Sequence, residues 1–182
     1  MEKLMYALWK PAAKQGDEFR DELLAHLVPE LNALSCVQGL RLCVADSAVA
    51  EAAGRRMESH APAPDAMVSI WVDDGGASAQ WEPLLAAAAE QSTGYLVAEA
   101  EPLIAREAHP SKPGERQYGM CHVVFMSPPD TLSRDEWFRV WKDSHTQVAI
   151  DTQSTFGYRL NVVVRVLTEG ALASHAIVEE NF

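Results

Sequence analysis

The chain repeats itself. Gly39-Leu40-Arg41-Leu42-Cys43-Val44 and Gly157-Tyr158-Arg159-Leu160-Asn161-Val162 are near copies. Upstream, Phe19-Arg20 precedes His26 by the same interval at which Phe138-Arg139 precedes His145, and the intervals from histidine to glycine differ by a single residue. A strand, a His-bearing helix and a Gly-x-Arg-Leu strand therefore occur twice in the same order. A sequence with that self-similarity is constrained to build one supersecondary unit twice over.

The first copy shows what the unit is. Leu4-Met5-Tyr6-Ala7-Leu8-Trp9 reads as a strand closed by Lys10-Pro11. Phe19, Leu23, Leu27, Leu31 and Leu34 recur at helical spacing behind Asp17 and Glu18, acidic residues that suit the positive end of a helix dipole. Pro29 falls inside that run and should kink or split the helix. Gly39–Val44 alternates as a strand; 45–63 is Ala-rich and charged, with loop or short-helix character. Met67–Val72 is a third strand, ended by Asp73-Asp74-Gly75-Gly76. A second helix opens near Ser78 and carries Trp81, Leu84, Leu85 and Ala88, and Tyr95–Ala100 is a fourth strand. The order β-α-β-β-α-β is the split βαβ, or ferredoxin-like, unit, an α+β arrangement of antiparallel sheet with helices on its outer face.

Residues 106–117 are polar, with prolines and a glycine, and read as a linker between units at 1–105 and 118–182. Beyond it the pattern restarts. Met120–Met126 is a strand stopped by Ser127-Pro128-Pro129. Ser133-x-x-Glu136 is a capping box that satisfies two orphan backbone donors and opens a helix. That helix runs through Trp137, Trp141, His145 and Val148. Gly157–Val164 and His175–Glu179 are the next strands. The second unit has no sequence for a last helix and strand, so its sheet is expected to keep an unpaired edge that a partner covers, and a homodimer is expected.

Composition narrows the partners. The net charge is −11 over 182 residues, a field that repels polyphosphate, so nucleic acid is not an expected partner. No apolar run approaches the roughly 18 residues of a membrane span, and the N-terminus lacks a signal-peptide pattern. Cys36, Cys43 and Cys121 are odd in number and without CxxC spacing, which suits reduced thiols in a cytoplasmic protein. The histidines never recur at metal-ligand intervals, and there is no P-loop, GxGxxG or GxSxG, so neither metal nor nucleotide cofactor is expected.

Trp141-Lys142-Asp143-Ser144-His145, preceded by Ser133-Arg134-Asp135-Glu136-Trp137-Phe138 and followed by Phe156-Gly157-Tyr158-Arg159, resembles the EthD group of the dimeric α/β-barrel superfamily. Ile177-Val178-Glu179-Glu180-Asn181-Phe182 is similar to that family's third strand. The resemblance covers most of 118–182 and, more faintly, 3–105. It implies two ferredoxin-like sheets packed face to face around an apolar cavity. Relatives include proteins of ether and aromatic degradation and cofactor-free dehydratases, decarboxylases, cyclases and isomerases; many have no known activity. The first copy departs from the pattern, with Glu22 where the second has Trp141.

His145 is the leading candidate for chemistry. On a regular helix it shares the inward face with Trp137, Trp141 and Val148, and a desolvated imidazole stays neutral and can accept a proton. A hydrogen-bonded core histidine is the plain alternative. His26 holds the matching place beside Phe19 and Leu23, with a structural role as its alternative. His122, inside an apolar strand, shares the cavity with His145 or pairs across the sheet. Arg41 and Arg159 alternate to the face opposite Leu40/Leu42 and Tyr158/Leu160, where each would hold a carboxylate, enolate or phenolate, or else form an ion pair with a helix carboxylate. Tyr158 and Tyr6 donate a proton to an oxyanion or simply pack. The expectation is a cofactor-free lyase or isomerase acting on a small apolar or aromatic oxygenated metabolite. The competing readings are a non-catalytic carrier of such a metabolite and a structural oligomer.

Overall fold

The structure, a computed structural model, describes residues 1–57 and 62–182. It is α+β, with seven β-strands among the described residues. The chain divides into two compact units, Met1–Val97 with Arg165–Leu172, and Ala98–Val164 with Ala173–Phe182. The division falls inside strand β4, ahead of the linker expected at 106–117.

Unit 1 carries β1 (Glu2–Trp9), β2 (Val37–Val44), β3 (Ala66–Val72) and the first half of β4 (Gln91–Leu103), in the order β2-β3-β1-β4. The β1–β3, β1–β4 and β2–β3 ladders are antiparallel. Every residue of β1 from Lys3 to Trp9 is buried, as its unbroken apolar run requires of a strand covered on both faces. Leu4, Tyr6 and Leu8 pack with Val68, Ile70 and Val72 against Phe19, Leu23, Leu27 and Leu31. Burying each such side chain contributes about 1.5–3 kcal/mol.

The first helix differs from its expected form. It is built as α1 (Gly16–Glu22), a π-turn (Leu23–Leu27) and α2 (Val28–Asn32). The backbone stays right-handed through both joints, and the Val28 N–H donates to Leu23 O, five residues back. Pro29 sits in the first turn of α2, where its missing N–H needs no partner, so it neither kinks nor breaks the element. The second helix also opens later than expected: a 3₁₀ segment fills Gly75–Gln80, and α3 is Glu82–Ala88. The Ala-rich stretch forms a 3₁₀ helix over Ser47–Arg55, capped by Asp46; residues 58–61 of that stretch lie outside the described residues.

Unit 2 carries the second half of β4 with β5 (Cys121–Met126), β6 (Gly157–Val166) and β7 (Ala176–Asn181), in the order β4-β6-β7-β5. The β5–β7 and β6–β7 ladders are antiparallel. Residues 106–117 belong to this unit. They follow α4 (Ala105–Ala108) and are tied down: Gln117 Nε2 donates to His109 O at 2.7 Å, and the His109 ring stacks on Tyr118 with centroids 4.1 Å apart. The expected capping box is present. Ser133 Oγ accepts from the Glu136 N–H at 3.3 Å, and Glu136 Oε2 accepts from the Ser133 N–H at 3.1 Å. It opens α5 (Arg134–Val140), followed by a π-turn (Trp141–His145) and α6 (Thr146–Thr152). Trp137, Trp141 and Ala149 cover Tyr158, Leu160, Ala176 and Val178 of the sheet.

Candidate functional site

The π-turn of unit 2 decides where its histidine points. Trp137 and Trp141 lie inward, their rings 5.3 Å apart and 20° from parallel. On a regular α-helix the next inward residue is four further on, at His145. The π-turn adds a residue, so Thr146 takes that place, 6% exposed, with its Oγ1 donating to Trp141 O at 2.8 Å. Ala149 follows at 1% exposed, while Val148 is 53% exposed. His145 itself is exposed, which corrects the expectation of a sheltered imidazole at that position. The same shift operates in unit 1: Leu23 and Leu27 are buried and His26 is exposed.

A different cluster forms on the helix-covered face of unit 2. Glu180 on β7 is the cross-strand partner of His122 on β5 and of Tyr158 on β6. His122 Nδ1 lies 3.4 Å from Glu180 Oε2; the histidine side chain is 52% exposed and the glutamate 11%. The row therefore runs from solvent at His122 to a buried phenol at Tyr158. Burial pushes the Tyr158 pKa up, the Glu180 charge adds to that, and Trp141 and Thr146 pull it partly back. At neutral pH the phenol holds its proton. Trp141 Nε1 is buried and, among the described residues, has no acceptor at hydrogen-bond distance.

Glu180 was missed in the sequence, although a signal exists there. Ala176 and Val178 define the inward parity of β7, and period two adds Glu180 to the same face. A carboxylate on an otherwise apolar face needs a partner, and His122 supplies one. Of the candidates read from sequence, Tyr158, Trp141, Trp137 and His122 come together here, whereas His145 does not.

Arg41 and Arg159 stand on the faces the alternation requires. Arg159, 4% exposed, lies with Nε 3.5 Å from Glu99 Oε1, and its Nη2 pairs with Glu101 Oε1. Those carboxylates come from strand β4 rather than from a helix. A guanidinium held by two carboxylates has its charge answered within the protein, so it is not offered to a substrate anion. Arg41, half-buried, is the register partner of Ser69. Tyr6 OH accepts from Trp81 Nε1 at 2.8 Å. Burial chiefly pushes its pKa to about 12; the Trp81 bond opposes the shift and Glu82 adds to it. This phenol sits in the core, 1% exposed, instead of facing a substrate. Gly94, its register partner, leaves the ring room, since a Cβ there would meet Tyr6 Cε1 at 2.5 Å.

His26 lines an open groove of about 490 Å³ in unit 1, between the π-turn and the end of α3. Its floor includes Leu23, Leu27 and Ala88, and its rim carries Lys14, Glu22 and Glu90. Lys14 Nζ pairs with Glu22 Oε2.

No protein-family model matches the chain, and no curated protein matches it. Among the described residues, no helix is long and apolar enough to cross a membrane.

Proposed function

We propose that the chain is a cofactor-free lyase or isomerase of EthD-like type, built on two ferredoxin-like units in tandem, acting on a small apolar oxygenated metabolite. The fold part of the reading is supported by the β2-β3-β1-β4 order of unit 1 and by a π-turn in the sheet-covering helix of each unit. The functional part rests on one observation, the cross-strand row His122–Glu180–Tyr158. With Nδ1 turned toward Glu180, His122 is left with Nε2 to take a proton from a carbon acid or hydroxyl and return it elsewhere on the same molecule. Glu180 stabilises the imidazolium that forms, and the protonated Tyr158 holds Glu180 from behind. His122 is thus the catalytic residue; Glu180 and Tyr158 position it. A general base so placed supplies on the order of 10²–10⁴-fold.

The test is solvent deuterium exchange, which reads proton abstraction without a known product. A panel of aromatic and polyketide-like carbon acids is incubated in D₂O and followed by NMR. Wild-type protein should exchange an acidic C–H in at least one of them, His122→Ala should lose about 10²–10⁴-fold, and Glu180→Gln should lower the rate and shift its pH profile. Binding without exchange, or exchange unchanged in His122→Ala, overturns the catalytic reading in favour of a carrier. His122 is half-exposed, so its removal leaves the core intact.

A further inference from the structure

We infer that the unit 1 groove is a second ligand site, for a small apolar molecule bearing a protonated amine. Its volume of about 490 Å³ falls in the range of roughly 300–1,000 Å³ typical of small-molecule sites. The composition also fits that class, an apolar floor with a few polar groups converging at the rim. Leu23 and Leu27 are buried at 1% and 2%, and face Ala87 and Ala88, whose methyl groups leave the space open. The π-turn forms this wall, and it places the exposed His26 at the mouth beside two leucines.

The rim fixes the head group. Lys14 and Glu22 neutralise each other as an ion pair. Glu90 has no cation; its Oε2 accepts only a long bond of 3.3 Å from the Ala12 N–H. With His26 neutral, the rim has an excess of one carboxylate, inside a chain of net charge −11. An anionic head is repelled there. An ammonium meets Glu90 directly and donates to the His26 imidazole. This site is separate from the row in unit 2 and does not depend on it.

Three probes with one body separate the possibilities: 1-naphthylmethylamine, 1-naphthalenemethanol and 1-naphthoate, titrated into the full chain with fluorescence detection. The expected order is amine tightest, alcohol about two- to fivefold weaker, as one exposed ion pair allows, and acid weakest. Glu90→Gln should bring amine and alcohol level while leaving the alcohol unchanged. Ala87→Trp, at an exposed position that fills the mouth, should weaken all three at least tenfold, with an unaltered thermal melt confirming the fold. Naphthoate binding as well as the amine, no binding of any probe at millimolar concentration, or indifference to Ala87→Trp overturns the inference.

Discussion

Tyr6, Tyr95 and Tyr158 are all buried strand residues whose pKa values are raised, with desolvation the largest cause in each. The phenols are neutral in the folded protein and ionise more easily once unfolded. A folded pKa above the unfolded value of about 10 contributes stability that is complete below pH 10 and lost as pH rises toward the folded value. For Tyr6 that window extends from 10 to about 12. The expected outcome is an alkaline titration at 295 nm in which three of the four tyrosines ionise together with loss of secondary structure. Smooth ionisation of all four at pH 10, with circular dichroism unchanged, would show that these rings are solvated. The partner of Tyr6 at this scale was hidden in the sequence: Trp81 lies far along the chain, and only the fold brings its N–H to the phenol.

Each unit's sheet-covering helix contains a π-turn, and this feature separates what the sequence discloses from what it conceals. The strands, the capping box and the apolar stripes were legible because period two and period 3.6 are written into the residues. The rotation of His145 and His26 away from the sheet was not, since a five-residue turn changes the phase of everything beyond it without changing composition. The candidate site was half visible for the same reason: strand residues Tyr158 and His122 kept their expected parity, while the helix residue lost it. A deletion measures the effect. Removing Asp143 makes Thr146 the fourth residue after Trp141, so a regular α-helix then carries Trp141, Thr146 and Ala149 inward. The expected result is a folded protein with a melting temperature within a few degrees of the parent. Removing Arg139 from α5 rotates the following residues by about 100°, turns Trp141 and Thr146 outward, and should abolish cooperative unfolding of unit 2. Equal damage from both deletions would mean that the π-turn is not a local insertion.

On the scale of the whole molecule, the chain leaves unit 1 at Val97, builds most of unit 2, and returns with Arg165–Leu172. The returning segment is bonded in place: Leu167 N–H donates to Gly94 O at 2.8 Å, Gly94 N–H to Thr168 Oγ1 at 2.9 Å, and Tyr95 OH to Leu172 O at 3.1 Å. At about 0.5–1.5 kcal/mol for each bond, a fragment of residues 1–97 should be less stable by roughly 2–4 kcal/mol than the same fragment with 165–172 fused through a flexible linker. Urea denaturation of the two fragments checks this, and equal midpoints would show the segment to be passive. The same path sets a timetable for synthesis. A ribosome has read almost the whole message before the residues that seal the first unit emerge, so that unit must wait, incompletely closed, while the second takes shape.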